Sequence, residues 1–517
     1  MTVPLGELLR AAARRAPRKT ALVAGAETLD FAAYDRASDR FANLLAASGV
    51  LPGDRVAVLL RNSPAYGVAH FGAARAGALL VHLPPPTAPP RLAKLIARTR
   101  PRVLVVDASL DRRLTAEARL AIPFRFVVEG GVTGRGSFAE ALAAAIDRPP
   151  SIGVDPASPA AMTFTGGTTG GPKGTVVSHR ARAVAARTTA VEHRITADDV
   201  VAVVTPMCHA MGLLVWHQAA VLVGATSVLF RTWDPARFVE EVERRRISAA
   251  FLVPAQLRDL LHSPAFDPER LGTLRNIGLG GAPLAPSLAA ACRKALPDAA
   301  TTDHYGQSET GPLSIRPPED AITHAGTVGR PALGVDLRIV DDRGREVAPG
   351  VVGEIVVRGP FLMDGYHDDP AETARYFRGH GGWGWTGDLA RRDEDGTITL
   401  VGRSREVVNS GGLLIYPVEL ETALSNHPAV ADAAVFGAPD ERWGEAAIAC
   451  VVLRPGRTAS EAELIAHCQA TLARTTRPRE VAFLDHLPRT AAGKVRKNIL
   501  RQTWRAQRSL PLASSAD

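Results

Sequence analysis

The stretch Thr163-Phe164-Thr165-Gly166-Gly167-Thr168-Thr169-Gly170-Gly171-Pro172-Lys173-Gly174 holds five glycines, four threonines and one lysine in twelve residues. It follows the apolar run Ala160-Ala161-Met162, which suits the end of a buried strand. Glycine lets the next turn take backbone angles closed to other residues. Amide N–H groups, hydroxyls and an ammonium then surround one concavity, a donor set suited to a polyphosphate. The pattern is not a Walker A loop, because Pro172 separates Lys173 from the preceding glycine. A flexible Gly/Thr linker is the plainer reading, and a Pro-Lys-Gly directly after such a run argues against it.

Other groupings follow in order. Gly280-Gly281-Ala282-Pro283 is backbone with little side chain. His304-Tyr305-Gly306-Gln307-Ser308-Glu309 combines a ring, a hydroxyl and a carboxylate; a carboxylate suits Mg²⁺, which takes few protein ligands. Trp385-Thr386-Gly387-Asp388 ends in an acceptor-only carboxylate fit for a vicinal diol. Gly402-Arg403 and Arg405 come next, then Asn409-Ser410-Gly411-Gly412-Leu413-Leu414-Ile415-Tyr416-Pro417, and finally Pro488-Arg489-Thr490-Ala491-Ala492-Gly493-Lys494. Taken singly, residues 305–309 read as a polar turn, Arg403 as a surface ion-pairing residue and His209 as a structural histidine. No Ser-His-Asp arrangement or HExxH is visible.

As an ordered series these segments resemble the adenylate-forming superfamily of acyl-CoA synthetases, luciferases and peptide-synthetase adenylation domains. Residues 165–174 match its phosphate loop. The resemblance implies that Thr165, Gly166, Gly167, Thr168, Thr169 and Lys173 hold the phosphates of ATP. It implies that Gly281, Ala282 and Pro283 face adenine with Tyr305 and Gly306, that Ser308 reaches the α-phosphate, and that Glu309 holds Mg²⁺. Asp388 would take the ribose hydroxyls, with Arg403 near ribose or phosphate. Arg405 stands at the family's hinge, where one long polar residue absorbs a backbone change. Ser410, Gly411 and Gly412 would form the loop on the coenzyme A side, where Leu413 and Leu414 depart from the family's Glu-Asn. Lys494 would swing in during the first half-reaction, a mobile point charge that can later leave, and His209 would border the carboxylate site.

The elements that must position these groups alternate in type. A helix is expected over 29–48, from apolar residues at helical spacing, with strands at 55–60 and 78–83. Further strands are expected at 200–205, 247–253 and 276–279, each closed by a glycine- or proline-rich turn, and Asp234-Pro235 caps a helix between them. Strands separated by helices point to a doubly wound parallel or mixed sheet, with ligands beyond the carboxyl ends of its strands. From about residue 326 short hairpin strands take over, at 335–340 and 353–357, then 387–390 and 396–401. Residues 404–517 form a separable block with a helix from Pro417, strands near Ala434 and Ala449, and a helix from Ser460 whose capping box includes Glu463. The expectation is an α/β protein. Its large N-terminal adenylation domain spans 1–403 with a β-rich subdomain at about 326–403, and a small mobile α+β lid spans 404–517.

A chain of 517 residues exceeds one ordinary core. No apolar stretch approaches the ~18 residues of a membrane span. The start, with Arg10, Arg14, Arg15 and Arg18 between leucines and alanines, reads as an amphipathic helix and not a signal peptide; the expectation is a cytoplasmic protein without integral membrane association. The four cysteines lie far apart with no metal-ligand spacing. The net charge of +8 comes from dispersed arginines, without the like-charge runs or aromatic content of a nucleic-acid binder.

The resemblance implies an ATP-dependent carboxylic acid–CoA ligase, its acid fatty or aryl, using ATP, Mg²⁺ and coenzyme A through an acyl-adenylate. Amino-acid-activating relatives carry an aspartate in the segment corresponding to 206–213, and this chain has none there. An acyl-AMP ligase that feeds a carrier protein is the alternative, and a non-catalytic nucleotide-binding protein a remote one, opposed by intact Lys173, Glu309, Asp388, Arg403 and Lys494. A luciferase-like oxygenase is more distant still. A homodimer is compatible with all of these.

Overall fold

The computed structural model describes residues 3–85, 87–132, 137–165, 172–379, 381–472, 476–489 and 495–508. Two large sheets form the body. One has seven strands in the order Gly365–Tyr366, Lys173–Ser178, Pro159–Thr165, Leu79–His82, Arg55–Leu59, Val103–Asp107 and Phe124–Val128. Its last five are parallel, in keeping with their helix-linked, mostly apolar sequences. The other has nine strands, with Ala300–Gln307, Asn276–Gly280, Ala249–Leu252, Val200–Val203, Thr226–Leu229 and Thr20–Ala24 parallel in its middle. Antiparallel strands close both edges.

The expected helix at 29–48 runs Phe31–Ala47, and Asp30 accepts the Ala33 N–H at its start. Asp234 caps Pro235–Arg245 through the N–H groups of Ala236 and Arg237. Between the two sheets lies an apolar core containing Tyr34, Phe41, Tyr66, Phe71, Trp216 and Phe251. The helix His179–Glu192 sits within it, its N-terminus capped by Ser178.

Residues 210–217 depart from any sequence expectation. They form a π-helix, Ala210–His217, in which the Gln218 N–H reaches back to the Leu213 carbonyl. Its sequence AMGLLVWH is apolar on every side, so it carries no amphipathic period from which a helix could be read. Such wide turns occur at functional sites.

The β-rich segment is an antiparallel sheet of Asp336–Val340, Gly353–Arg358, Gly384–Arg392 and Ile398–Arg403. A short 3₁₀ turn, Ser404–Glu406, leads into the C-terminal α+β unit. That unit holds Val408–Ser410, Leu413–Ile415, Val430–Asp440 and Gly444–Leu453 in one sheet, with Glu480–Phe483 added in parallel. The Ser460 capping box starts the helix Glu461–Thr471. The unit touches the body through the helix Pro417–Ser425 packed on Ile398–Arg403, and through the ion pairs Arg391–Glu419 (3.5 Å) and Arg258–Asp432 (4.0 Å). Among the described residues no helix is long and apolar enough to cross a membrane.

Candidate active site

The antiparallel pairing of Gly384–Arg392 with Ile398–Arg403 sets Asp388 opposite Arg403, and the Arg403 Nε lies 3.0 Å from the Asp388 carboxylate. That carboxylate also accepts from the Tyr305 hydroxyl at 2.7 Å and from the Gln307 Nε2 at 2.7 Å. Gln307 donates a second hydrogen bond to the Thr386 carbonyl, at 3.0 Å. Burial, reinforced by Asp388, holds the Tyr305 phenol well above its ordinary pKa, so it stays a donor. The Asp388 charge in turn raises Arg403. Residues 300–307 form a strand, not a turn. Their hairpin with Gly311–Arg316 is tight enough that a Cβ on Gly306 would run into the Gly311 carbonyl oxygen.

Lys173 enters from the other sheet, in register with Thr165. It pairs with Glu372 and lies 5.1 Å above the ring of Tyr366. The Tyr366 hydroxyl donates to Glu309 at 3.0 Å, which ties the lysine and the glutamate into one cluster. Partial burial, helped by the nearby Arg405 charge, lowers the Lys173 pKa. Tyr376, buried beneath, feels both Glu309 and Asp388, so the two carboxylates border one space. Arg405 is exposed on the Ser404–Glu406 turn at its rim. Tyr366, Glu372 and Gln307 were not among the sequence candidates. Only Gln307 lay inside a recognised motif; Lys173 and Glu372 are 199 residues apart, a pairing that no local pattern reveals.

On the opposite wall Gly281 takes a left-handed φ of +80° and faces Met211 and Val253. Ala282 is half-buried and Pro283 exposed beside it. Gly280 is in register with His304. A Cβ on Gly278 would approach Phe251 to 2.7 Å and His193 to 3.1 Å. His193 and His304 are 3.0 Å apart, and Trp216 stands edge-on to His193 with ring centroids 5.3 Å apart. His209 is half-buried at the start of the π-helix, and its charge would bear on His82. Ser308 is half-buried in the turn before Glu309.

On the C-terminal unit Gly411 and Gly412 both have positive φ, at +63° and +89°, and turn the hairpin after Ser410. A Cβ on Gly411 would meet the Trp443 ring at 2.5 Å. Leu413 and Leu414, the departures from the family pattern, are 38% and 53% exposed. Gly166, Gly167, Thr168, Thr169 and Lys494 lie outside the described residues.

A cleft lined by a lysine, an arginine, two carboxylates and a tyrosine, at the carboxyl ends of parallel strands, is that of a nucleotide-using α/β enzyme. Residues 9–367 match the family model of the AMP-binding enzymes, and 419–494 that of the AMP-binding enzyme C-terminal domain. The chain is 37% identical over 492 residues to an indoleacetate–CoA ligase of Aromatoleum aromaticum, covering 94% of this chain and 95% of that protein. It is 34% identical over 496 residues to a feruloyl-CoA synthase of an Amycolatopsis species, covering 95% and 97%. The crystal structure of ATP-bound MatB from Rhodopseudomonas palustris superposes with a TM-score of 0.90 at 30% identity, over 97% of this chain and 99% of that one. The chain belongs to the adenylate-forming AMP-binding enzyme family. It is an acid–thiol ligase that joins a carboxylic acid to coenzyme A through an acyl-adenylate, with ATP and Mg²⁺.

Proposed function

We propose that the acid this ligase activates is ring-bearing, and that it lies between His209, Met211 and the strip Gly278, Gly280, Gly281. The observation that carries this is the strip itself. Without side chains at Gly278 and Gly280, Phe251 and His193 pack directly on the strand backbone with Trp216 and His304 against them, and Met211 covers Gly281, so this wall is built from rings. A fixed aromatic surface favours a planar ring over a flexible chain, because the ring gains contact with few rotors to freeze. Met211 over Gly281 is the adaptable element, able to move aside as the acid enters. The indoleacetate and feruloyl activities of the two relatives support the same reading.

In this arrangement the acid's carboxylate oxygen attacks the α-phosphorus of ATP, and the bond to pyrophosphate breaks. The thiol of coenzyme A then attacks the acyl carbonyl and AMP leaves. Residues 165–169 and Lys173 hold the phosphates. Tyr305 and Gly281 to Pro283 flank adenine, Ser308 reaches the α-phosphate, and Asp388 accepts from the ribose hydroxyls. Arg403 offsets charge nearby. The Glu309 carboxylate, oriented by the Tyr366 hydroxyl, has the donor chemistry to hold Mg²⁺, which would neutralise the triphosphate. Residues 1–403 act as body and 404–517 as lid, turning about Arg405, so that Lys494 serves the first half-reaction and the Ser410 to Gly412 loop the second.

Carboxylate-dependent ATP–pyrophosphate exchange over ring-bearing and straight-chain acids, followed by thioester formation with coenzyme A, tests this. Ring acids should exceed chain acids of equal carbon number by at least about tenfold in kcat/KM; a preference for chains overturns the assignment. Adenylate formed without a coenzyme A thioester would make a carrier-protein phosphopantetheine the acceptor.

A further inference from the structure

Arg182, in the helix His179–Glu192, is 1% exposed. Its Nε and Nη2 are buried and have no hydrogen-bond partner among the described residues. Asp364 is near enough to favour its charge but forms no ion pair with it among the described residues. A buried guanidinium without a hydrogen-bonded counter-charge is expensive to fold around, and an unpaired group of this kind calls for an explanation.

The atoms around it share the same deficit. His70 Nδ1, His82 Nε2 and Gln218 Oε1 are also buried and unpartnered among the described residues. The far sides of these groups are tied down: His82 Nδ1 lies 2.8 Å from the Tyr66 hydroxyl and His70 Nε2 2.7 Å from Gln218 Nε2. When the Tyr66 hydroxyl and the Gln218 amide donate, the free ring nitrogens, His82 Nε2 and His70 Nδ1, carry the protons. In that arrangement four donor nitrogens, two of them on Arg182, face one acceptor, Gln218 Oε1. Burial keeps both imidazoles uncharged, His82 at about 3, and the Arg182 charge pushes them the same way. One positive charge is left, that of Arg182, which stays protonated at about 10.

This donor-rich cluster adjoins the candidate active site on two sides. His82 is close enough to His209 for their charges to interact. A Cβ on Gly311, two residues beyond Glu309, would stand 3.3 Å from the Arg182 Nη2. The π-helix that follows His209 packs on both the Arg182 helix and the strand Gly311–Arg316.

We propose that this cluster receives the far end of the acid substrate, and that this end carries an oxygen acceptor, with a second carboxylate as the complement of the lone guanidinium. The proposal rests on the ligase reading above and narrows its substrate class. A site built to hydrogen-bond such a group rejects analogues that lack it, because its own buried donors are then left unpaired. Ordered water alone would solvate the cluster without imposing any such preference.

The test is acid-dependent ATP–pyrophosphate exchange with the full-length enzyme on matched pairs. Suitable pairs are phenylacetate with 4-carboxyphenylacetate, 3-phenylpropanoate with 3-(4-carboxyphenyl)propanoate, and octanoate with octanedioate. In at least one pair the acceptor-bearing member should be preferred by about 10²-fold or more in kcat/KM. Arg182→Met should abolish that preference by lowering kcat/KM for the diacid about 10²-fold, with the plain acid and the KM for ATP within about threefold of the parent. Arg182→Lys should retain part of it. Equal use of both members by the parent enzyme, or a preference for the plain acid in every pair, overturns the inference while leaving the ligase reading intact, and needs no variant to fold. An Arg182→Met effect equal on both members overturns it too. Exchange with no acid at all would sink the ligase reading instead, and this inference with it.

Discussion

Among the described residues six histidines are buried in the body: His70, His82, His179, His193, His217 and His304. Desolvation lowers all of them, to about 3 for His82 and about 4 for His179, His217 and His304. In the unfolded chain each titrates near ~6.5. Between these values the unfolded state binds more protons than the folded one, so stability present above about pH 6.5 is lost as the pH falls towards 4. Moving from about pH 7 to about pH 5.5 removes roughly 1.2 kcal/mol per histidine, or about 5 kcal/mol for these four. Asp303 opposes them. Burial raises it to about 6 despite Arg316, so it protonates first in the folded state and returns about 0.8 kcal/mol over the same interval. Asp364 is also raised to about 6, but it is exposed and screening leaves it a smaller share. The expected net loss is about 4 kcal/mol, a large part of an ordinary domain's stability. Urea unfolding at the two pH values measures it. His217→Gln should flatten the slope by about one proton. Stability that does not fall between them would refute the claim that these imidazoles are held neutral by burial.

Asp388→Asn keeps the size of the side chain but removes the charge facing Tyr305, Gln307 and Arg403. If Asp388 holds the ribose as proposed, the KM for ATP should rise by about 10²-fold with the KM for coenzyme A unchanged, as read by initial rates. Gly306→Ala should destabilise the body by about 3 kcal/mol in denaturant titration, since the methyl meets a backbone carbonyl that cannot swing away. Arg405→Pro should leave pyrophosphate exchange within about threefold while slowing thioester formation by about 10²-fold, if the lid turns at this point between half-reactions. A parallel loss of both activities would remove the hinge role.

The parallel strands and their turns were readable from the sequence because apolar runs punctuated by Gly and Pro report burial on both faces. Asp234 and Ser460 announced their helices through side-chain oxygens placed to accept N–H groups. Short motifs singled out Lys173, Tyr305, Glu309, Asp388 and Arg403, and the structure joins Tyr305, Asp388 and Arg403 in one cluster and Lys173 and Glu309, through Tyr366, in another beside it. What escaped was everything made by tertiary approach. Glu372 reaches Lys173, and Tyr366 reaches Glu309, across long stretches of chain. The π-helix had no period to detect. His70 and Arg182 were not singled out in the sequence, and His82 was read only as part of a strand; their grouping is made by three elements packing together.

The join between body and C-terminal unit bears on the lid rotation proposed above. Among the described residues the join includes a three-residue turn, the packing of one helix on one strand, two partly exposed ion pairs and a hydrogen bond from the Ser404 hydroxyl to the Gly387 carbonyl (3.3 Å). Each such pair is worth no more than about 1 kcal/mol and fades with added salt. If the unit turns as proposed, the electrostatic part of this clasp resists it little, and what remains to be broken is the packing of Pro417–Ser425 on Ile398–Arg403.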